Sequence, residues 1–296
     1  MSKLTKVVIP VAGLGTRVLP ASKAIPKEML TVVDKPVIQH VVEEAIGAGF
    51  KEIILVTRNN KSSIEDHFDT HYELETELAR KGKDALLAAV KDILPKDVSI
   101  SAVRQHRPLG LGHAVLTAAP VVGNEAFAVM LPDMLIYNSE TDHHADLAAM
   151  VSDFEATGAA QIMVEAVPEA HVERYGVVDC AGKPLDKGMI QPIVGMVEKP
   201  PRASAPSNQA IVGRYILPAR VLELLKDTKP GAGGEIQLTD ALDQLISEST
   251  IHAYSMRGKT YDCGNKLGYL QANFIFGMSH PETGEEFKQF VAETLA

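Results

Sequence analysis

Tryptophan is absent from this chain and cysteine nearly so: Cys180 and Cys263 are widely separated and show no C-x-x-C spacing. That excludes a disulfide framework and a cysteine-based zinc site. With no histidine beside it in sequence, Cys263 reads as a small buried hydrophobe and not as a nucleophile. Long apolar runs are missing too. None approaches the roughly 18 residues of a membrane span, and MSKLTKVVIPVAG has no apolar h-region followed by a small-residue cleavage site. The expected compartment is therefore the cytoplasm, with no membrane partner. Nor is there a basic block. A formal net charge of -9 and a pI near 5.6 argue against a general nucleic-acid binder. What remains is 296 residues, 46% hydrophobic and 23% charged, enough for one substantial core.

Glycine, proline and positive charge are instead concentrated in one place. Directly after the apolar run 7–12, residues 13–30 read GLGTRVLPASKAIPKEML. Gly13 and Gly15 let backbone N–H groups turn sharply and approach an anion closely. Arg17, Lys23 and Lys27 add three cations to a chain that would otherwise repel a polyanion, so a phosphate group is drawn to this point. The dinucleotide fingerprint fails, because Val18 occupies the third glycine position and Pro20 and Pro26 interrupt any helix. A G-x-x-x-x-G-K-[ST] phosphate loop is also lacking at this position. A solvated flexible loop is the bland alternative for such a composition.

Gly13-x-Gly15-Thr16-Arg17, Pro20, Lys23 and Pro26-Lys27-Glu28-x-Leu30 together resemble the signature G-x-G-T-R-x-x-P-x-[ST]-K-x-x-P-K-x-[LM] of the sugar-nucleotide pyrophosphorylases. The resemblance continues at RQHRPLGLGHA (104–114), MLPDMLI (130–136), ERYGVVD (173–179), VEKP (197–200), IVGRYILP (211–218), GEIQLTDAL (234–242) and YDCGNKLGY (261–269). It implies a nucleotidyltransferase that joins a nucleoside triphosphate to a sugar 1-phosphate. A helical arm at 71–93 resembles the insertion that lengthens the uridylyl-transferring members. UTP and glucose 1-phosphate are thus the implied substrates, UDP-glucose and pyrophosphate the products, and Mg2+ the cofactor.

Short Val/Ile-rich runs at 5–11, 52–57, 98–103 and 126–131, apolar on both faces, alternate with helical patterns at 36–48 and 112–119 and with a capping box at Ser62-x-x-Glu65. The expected fold is α/β: a Rossmann-like doubly wound mixed sheet with ligands at the carboxyl ends of the strands, which the resemblance implies to be of the nucleotide-diphospho-sugar transferase type. Pro10, inside the first run, marks a bulge or a strand end. Runs at 161–167, 175–179, 190–198 and 209–217, without long helices between them, predict a smaller mixed or antiparallel sugar-binding extension. Residues 1–296 then form one domain, with a nucleotide-binding half to about 140, a sugar-binding half to 265 and a helical segment over 266–296. There Thr283-x-x-Glu286 caps a helix carrying Phe287, Phe290, Val291 and Leu295 on one face. That face covers either the chain's own core or a partner subunit, and a homodimer or homotetramer is the expected assembly. The cluster Asp142-His143-His144-x-Asp146 offers metal-ligand residue types, although acidic residues also suit a helix's first turn.

The chemistry needs no activated nucleophile, since a phosphate monoester with a second pKa of about 6 is mostly dianionic at neutral pH. The obstacle is two polyanions meeting. Each like-charge pair roughly 4 Å apart costs about 4 kcal/mol at an effective dielectric of 20. Asp133, ending AFAVMLPD, is the candidate Mg2+ ligand, and a turn or cap is its structural alternative. The resemblance supplies Asp262 as the second ligand, Arg17 and Lys27 for the departing pyrophosphate, and Lys199 for the sugar phosphate. It gives Glu198 to sugar hydroxyls, with Gly176 and Gly213 permitting close backbone approach. Gln105 can complement the imide edge of uracil or equally of thymine, with Ala12, Gly13 and Gly110 around it. Gly15, Thr16 and Glu28 complete the nucleotide set. A nicotinamide-dependent oxidoreductase or a non-catalytic nucleotide-sugar sensor are the other classes; the presence of Asp133, Arg17 and Lys27 favours an enzyme.

Overall fold

Consecutive β-branched residues favour extended backbone buried on both faces, and in the computed structural model, which describes residues 4–295 apart from the side chain of Ala232, these runs form strands. The first three residues and Ala296, assigned above to the single domain, lie outside the described residues. One sheet holds β1 (Lys6–Pro10), β2 (Glu52–Thr57), β3 (Ser99–Arg104), β4 (Phe127–Met130), β5 (Ala160–Ala166), β6 (Gly176–Asp179), β7 (Ile190–Pro192), β8 (Gly195–Glu198), β9 (Gln209–Leu217) and β10 (Ile251–Ser255). Its order is β7-β10-β5-β9-β4-β1-β2-β3, with β6 attached to β9 and β8 to β6. Strands β4, β1, β2 and β3 run parallel, while β9 lies antiparallel between β4 and β5. This is the expected doubly wound mixed sheet. The later strands continue it instead of forming a separate layer, and only the antiparallel β6–β8 pair stands off its main path.

Alternation along each strand divides the core. Val7, Ile9, Ile53 and Leu55 meet helices Val37–Gly47, Ala145–Thr157 and Lys266–Ser279 on one face. Val8, Ile54 and Val56 meet helices Leu111–Thr117, Arg220–Asp227 and Leu238–Ile246 on the other. Pro10 is the last residue of β1, where a missing ladder donor costs little.

Several local expectations change. Strand β3 is not apolar on both faces: it forms the sheet edge and its residues are mostly exposed. The arm at 71–93 is two helices, Tyr72–Arg80 and Asp84–Lys91, separated around Gly82 at φ 64°. Ser62 does not cap its helix. Lys61 takes the N-cap position, where its donor-only ammonium cannot accept from the first-turn amides and bonds to Glu28 instead. Thr283 Oγ1 lies against His280 Nδ1 at 3.3 Å, and its carbonyl, not its side chain, receives the Phe287 N–H. Asp142 lies outside the helix that carries Asp146; Asp146 is buried, accepting from Tyr254 Oη and the amides of Arg257 and Gly258. No trio of histidine, cysteine or acidic residues suited to a metal occurs among the described residues.

Candidate active site

Asp133 follows β4 at the carboxyl end of the sheet, in the turn that leads to strand Met134–Tyr137. That strand pairs antiparallel with Lys259–Asp262, setting Asp262 opposite Met134. Two aspartates far apart in sequence thus come to one place. Arg17 bridges them, with Nη1 3.0 Å from Asp262 Oδ2 and Nη2 3.6 Å from Asp133 Oδ2. Lys27 Nζ lies 2.5 Å from the same Asp133 oxygen. Burial pulls the Lys27 ammonium down, but the carboxylates of Asp133 and Glu28 outweigh it and hold it above the usual lysine range. Lys27 therefore stays cationic.

Gly264 explains how the carboxylates stay close to each other. A Cβ there would collide with Asp133 Oδ2 and come within 2.6 Å of Arg17 Nη2 and 2.8 Å of Asp262 Oδ1. Sequence reading missed this residue, although it lies in the YDCGN motif. Next to it, Cys263 is buried and its thiol is pushed up by burial, as expected of an inert side chain.

Two cavities meet at this centre, sharing Leu111 and Leu131. The first, about 320 Å3, is lined by Ala12, Gly13, Lys27, Glu28, Gln105, Gly110 and Asp133. The amides of Gly13, Leu14 and Gly15 donate to no backbone carbonyl among the described residues, so the loop presents donors. Gly15 and Thr16 do not line the cavity. Gly15 turns the loop at φ 68°, its carbonyl held by Ser22 Oγ, and Thr16 opens a short 3-10 turn. Gly110, at φ 97°, packs its backbone so tightly on Glu235 and Ile236 that a Cβ would clash. The Gln105 amide nitrogen lies 3.3 Å from the Gly110 carbonyl and 2.9 Å from His113 Nδ1. Its amide nitrogen is thus committed within the protein and only its carboxamide oxygen is left to accept, whereas the sequence reading expected both groups to meet a base. Glu28 is fully buried on Lys61 at 2.6 Å; burial pushes its carboxyl up while Lys61 and Lys27 pull it back.

The second cavity, about 480 Å3, is lined by Arg17, Arg174, Tyr175, Gly176, Glu198, Lys199 and Thr239 among others. Glu198 accepts from Thr239 Oγ1 at 3.2 Å and lies 3.4 Å from Lys199 Nζ. Lys199 adopts φ 48°, an uncommon conformation for a residue with a side chain, fixed by its N–H on the Tyr175 carbonyl. Gly176 has Glu198 Oε2 3.1 Å from where a Cβ would stand. Gly213 is elsewhere. It forms an irregularity in β9 at φ 79°, where a Cβ would meet Leu131, and it does not line the cavity.

A loop of free amides, paired carboxylates at the strand ends and adjoining cavities define a phosphoryl-transferring α/β enzyme of the nucleotide-binding kind. The sequence profile described as "Nucleotidyl transferase" matches residues 6–276, and the chain belongs to that family. Among its relatives, UTP--glucose-1-phosphate uridylyltransferase of Haemophilus influenzae is 55% identical over 98% of this chain and the whole of its own length. A UTP-bound UGPase structure from Acinetobacter baumannii is 53% identical, with TM-score 0.92, covering 98% of this chain and 99% of that one. A UDP-glucose pyrophosphorylase complexed with UDP-glucose is 42% identical, with TM-score 0.83 and coverages of 94% and 100%.

Proposed function

We propose that the protein transfers the uridylyl group of UTP to glucose 1-phosphate, giving UDP-glucose and pyrophosphate. The observation that carries this reading is the placement of Asp133, Asp262, Arg17 and Lys27 where a nucleotide-sized and a sugar-sized cavity adjoin. The high identity to uridylyltransferases supports the choice of substrates. In this reading the half up to about residue 140 binds the nucleotide, residues 141–265 bind the sugar, and the helical segment follows.

Two carboxylates brought together by Arg17, one of them lining the nucleotide cavity, fit Mg2+, a hard six-coordinate ion that prefers carboxylate and phosphate oxygens and keeps several non-protein ligands. Bound there, it would neutralise phosphate charge and orient the α-phosphoryl group. Glucose 1-phosphate lies in the second cavity, its phosphate on Lys199 and its hydroxyls on Glu198. Its phosphate oxygen attacks the α-phosphorus of UTP; the bond from that phosphorus to the bridging oxygen breaks, and pyrophosphate leaves on the opposite side. Arg17, Lys27 and the loop amides stabilise the charge that gathers on the leaving group. Gln105 accepts from the uracil N3–H, and Glu28, fixed by Lys61, holds the turn carrying Lys27. Among the described residues no helix is long and apolar enough to cross a membrane; a cytoplasmic location is part of the same proposal. Exposed Leu267, Leu270, Phe274 and Phe290 on the last two helices support a homodimer or homotetramer.

Pyrophosphate release measured across four nucleoside triphosphates and several sugar 1-phosphates with Mg2+ tests the reading. UTP with glucose 1-phosphate is expected to be the best pair. A preference for dTTP or for N-acetylglucosamine 1-phosphate would overturn the substrate assignment.

A further inference from the structure

A third cavity, about 180 Å3, shares Gly13 and Leu14 with the nucleotide cavity and no lining residue with the sugar cavity. Its remaining walls are residues 22–26 of the phosphate loop and the loop 58–61 that follows β2. Because β1 and β2 are parallel neighbours, these two loops leave the same end of the sheet, where ligands of such folds bind. The three cavities therefore stand in series: sugar, nucleotide, then this one.

Lys23, Arg58 and Lys61 line it, and no carboxylate does. The neighbouring cations all have partners, Arg17 and Lys27 on the aspartates and Lys61 on Glu28. Lys23 and Arg58 form no ion pair among the described residues, and the Arg58 contact is a long one, from Nε to Asn59 Oδ1 at 3.4 Å. Burial pushes the Lys61 ammonium down; the Glu28 carboxylate only partly offsets this, and the positive charges of Lys27 and Arg58 add to the lowering. In a chain of net charge -9, uncompensated cations facing one cavity make a local well for an anion.

In-line displacement adds a direction. The sugar phosphate enters from one side of the α-phosphorus and the leaving group departs on the other, away from the sugar cavity. We propose that the third cavity is a second anion site that takes a diphosphate group, receiving pyrophosphate as it leaves the nucleotide cavity. The inference rests on the uridylyl-transfer reading. Free pyrophosphate and the terminal phosphates of bound UTP present the same chemistry, so the test must separate them.

The variant is Lys23→Ala with Arg58→Ala; neither side chain is fully buried, and although Lys23 belongs to the phosphate loop, neither pairs with Asp133, Asp262, Arg17 or Lys27. Titration calorimetry with inorganic pyrophosphate and Mg2+, without nucleotide, should show roughly tenfold weaker binding, the low end for a charge-assisted hydrogen bond. In the reverse reaction the KM for pyrophosphate should rise about as much while that for UDP-glucose stays constant. An unchanged KM for UTP in the forward direction identifies the ligand as departing product. A KM for UTP that rises in step overturns that assignment and gives the cavity to the tail of the bound triphosphate. Lys91→Ala with Lys96→Ala makes the same charge change on and after the 71–93 arm. Unaltered pyrophosphate binding in the first variant, or equal loss in this control, overturns the site. Should pyrophosphate bind as expected but no uridylyl transfer occur, the functional reading fails and the anion site stands.

Discussion

Replacing Arg214 with methionine should be among the most costly single substitutions in the protein. Arg214 is fully buried, its Nε and Nη2 forming a fork on Glu44 at 2.9 and 2.7 Å. The same guanidinium donates to the carbonyls of Leu131 at 3.2 Å, Gly213 at 3.2 Å and Met134 at 2.6 Å. Methionine fills similar volume, so the loss is chiefly electrostatic: the Glu44 carboxylate is left buried without its partner, and three carbonyls lose a donor. Breaking a buried pair from one side costs about 3–5 kcal/mol. For a chain of this size that is a fall in Tm of roughly 10 °C. The double variant Glu44→Leu with Arg214→Met removes the stranded charge and should recover most of the stability. It should not recover turnover. Leu131 and Met134 flank the turn that carries Asp133, and loosening support of this kind typically costs about 10- to 100-fold in metal affinity or activity. Urea unfolding and steady-state kinetics on both variants check the argument. A single variant that loses under about 1 kcal/mol, or a double variant as unstable as the single, would refute the assignment of the cost to a desolvated charge.

Asp133→Asn should abolish most Mg2+-dependent turnover without unfolding the protein, although loss of its charge beside Lys27 should lower Tm; near-normal kinetics would put the metal elsewhere. Gly264→Ala should be as damaging, because the added methyl would stand between the carboxylates of Asp133 and Asp262, and a normal Mg2+ titration in that variant would refute the crowding. Lys27→Ala should chiefly lower kcat, by roughly 10²- to 10³-fold, whereas Lys199→Ala should also raise KM for the sugar phosphate, whose charge is complete before reaction. If Lys199→Ala disturbs only the UTP dependence, the two lysines are wrongly assigned. Burial lowers the imidazoles of His40, His67 and His143, so below their ordinary value of about 6.5 the unfolded chain binds more protons and stability falls with pH. Tm measured from pH 7.5 to 5.5 should drop, and His143→Gln, which takes away the Nδ1 acceptor used by the Asn138 N–H but also one proton-binding site, should flatten that drop.

Contiguous information was legible in the sequence and distributed information was not. The loop from Gly13 to Lys27 shows itself because its glycines and cations are neighbours in the chain, and the runs at β1, β2 and β4 because both of their faces are covered. Strand β3 misled because apolar residues at a sheet edge look like those of an interior strand until the missing neighbour is known. Ser62 misled for a similar reason: the capping pattern is local, but Lys61 is held by Glu28, 33 residues away. Gly213, read as leaving room for a sugar, leaves room for Leu131 and permits the irregularity beside Arg214. Arg214 itself carries no local signal, since its partner Glu44 lies 170 residues earlier on a helix whose pattern reads only as amphipathic.

The residues proposed to recognise substrate are also tied to one another. Asp133 and Asp262 would repel each other beside Gly264, yet Arg17 and Lys27 neutralise them from a loop more than a hundred residues distant in sequence. The cations proposed to receive phosphate are therefore already positioned by the carboxylates proposed to receive metal. Were a metal–triphosphate complex to occupy the site as proposed, each charge could exchange a partner inside the protein for one on the substrate, and the local balance would be kept. In so acidic a chain a dense group of ionised side chains at the ends of apolar strands is kept because each carboxylate of the pair faces positive charge, and under the proposed function the metal–nucleotide complex would take over those contacts without leaving either carboxylate unpaired.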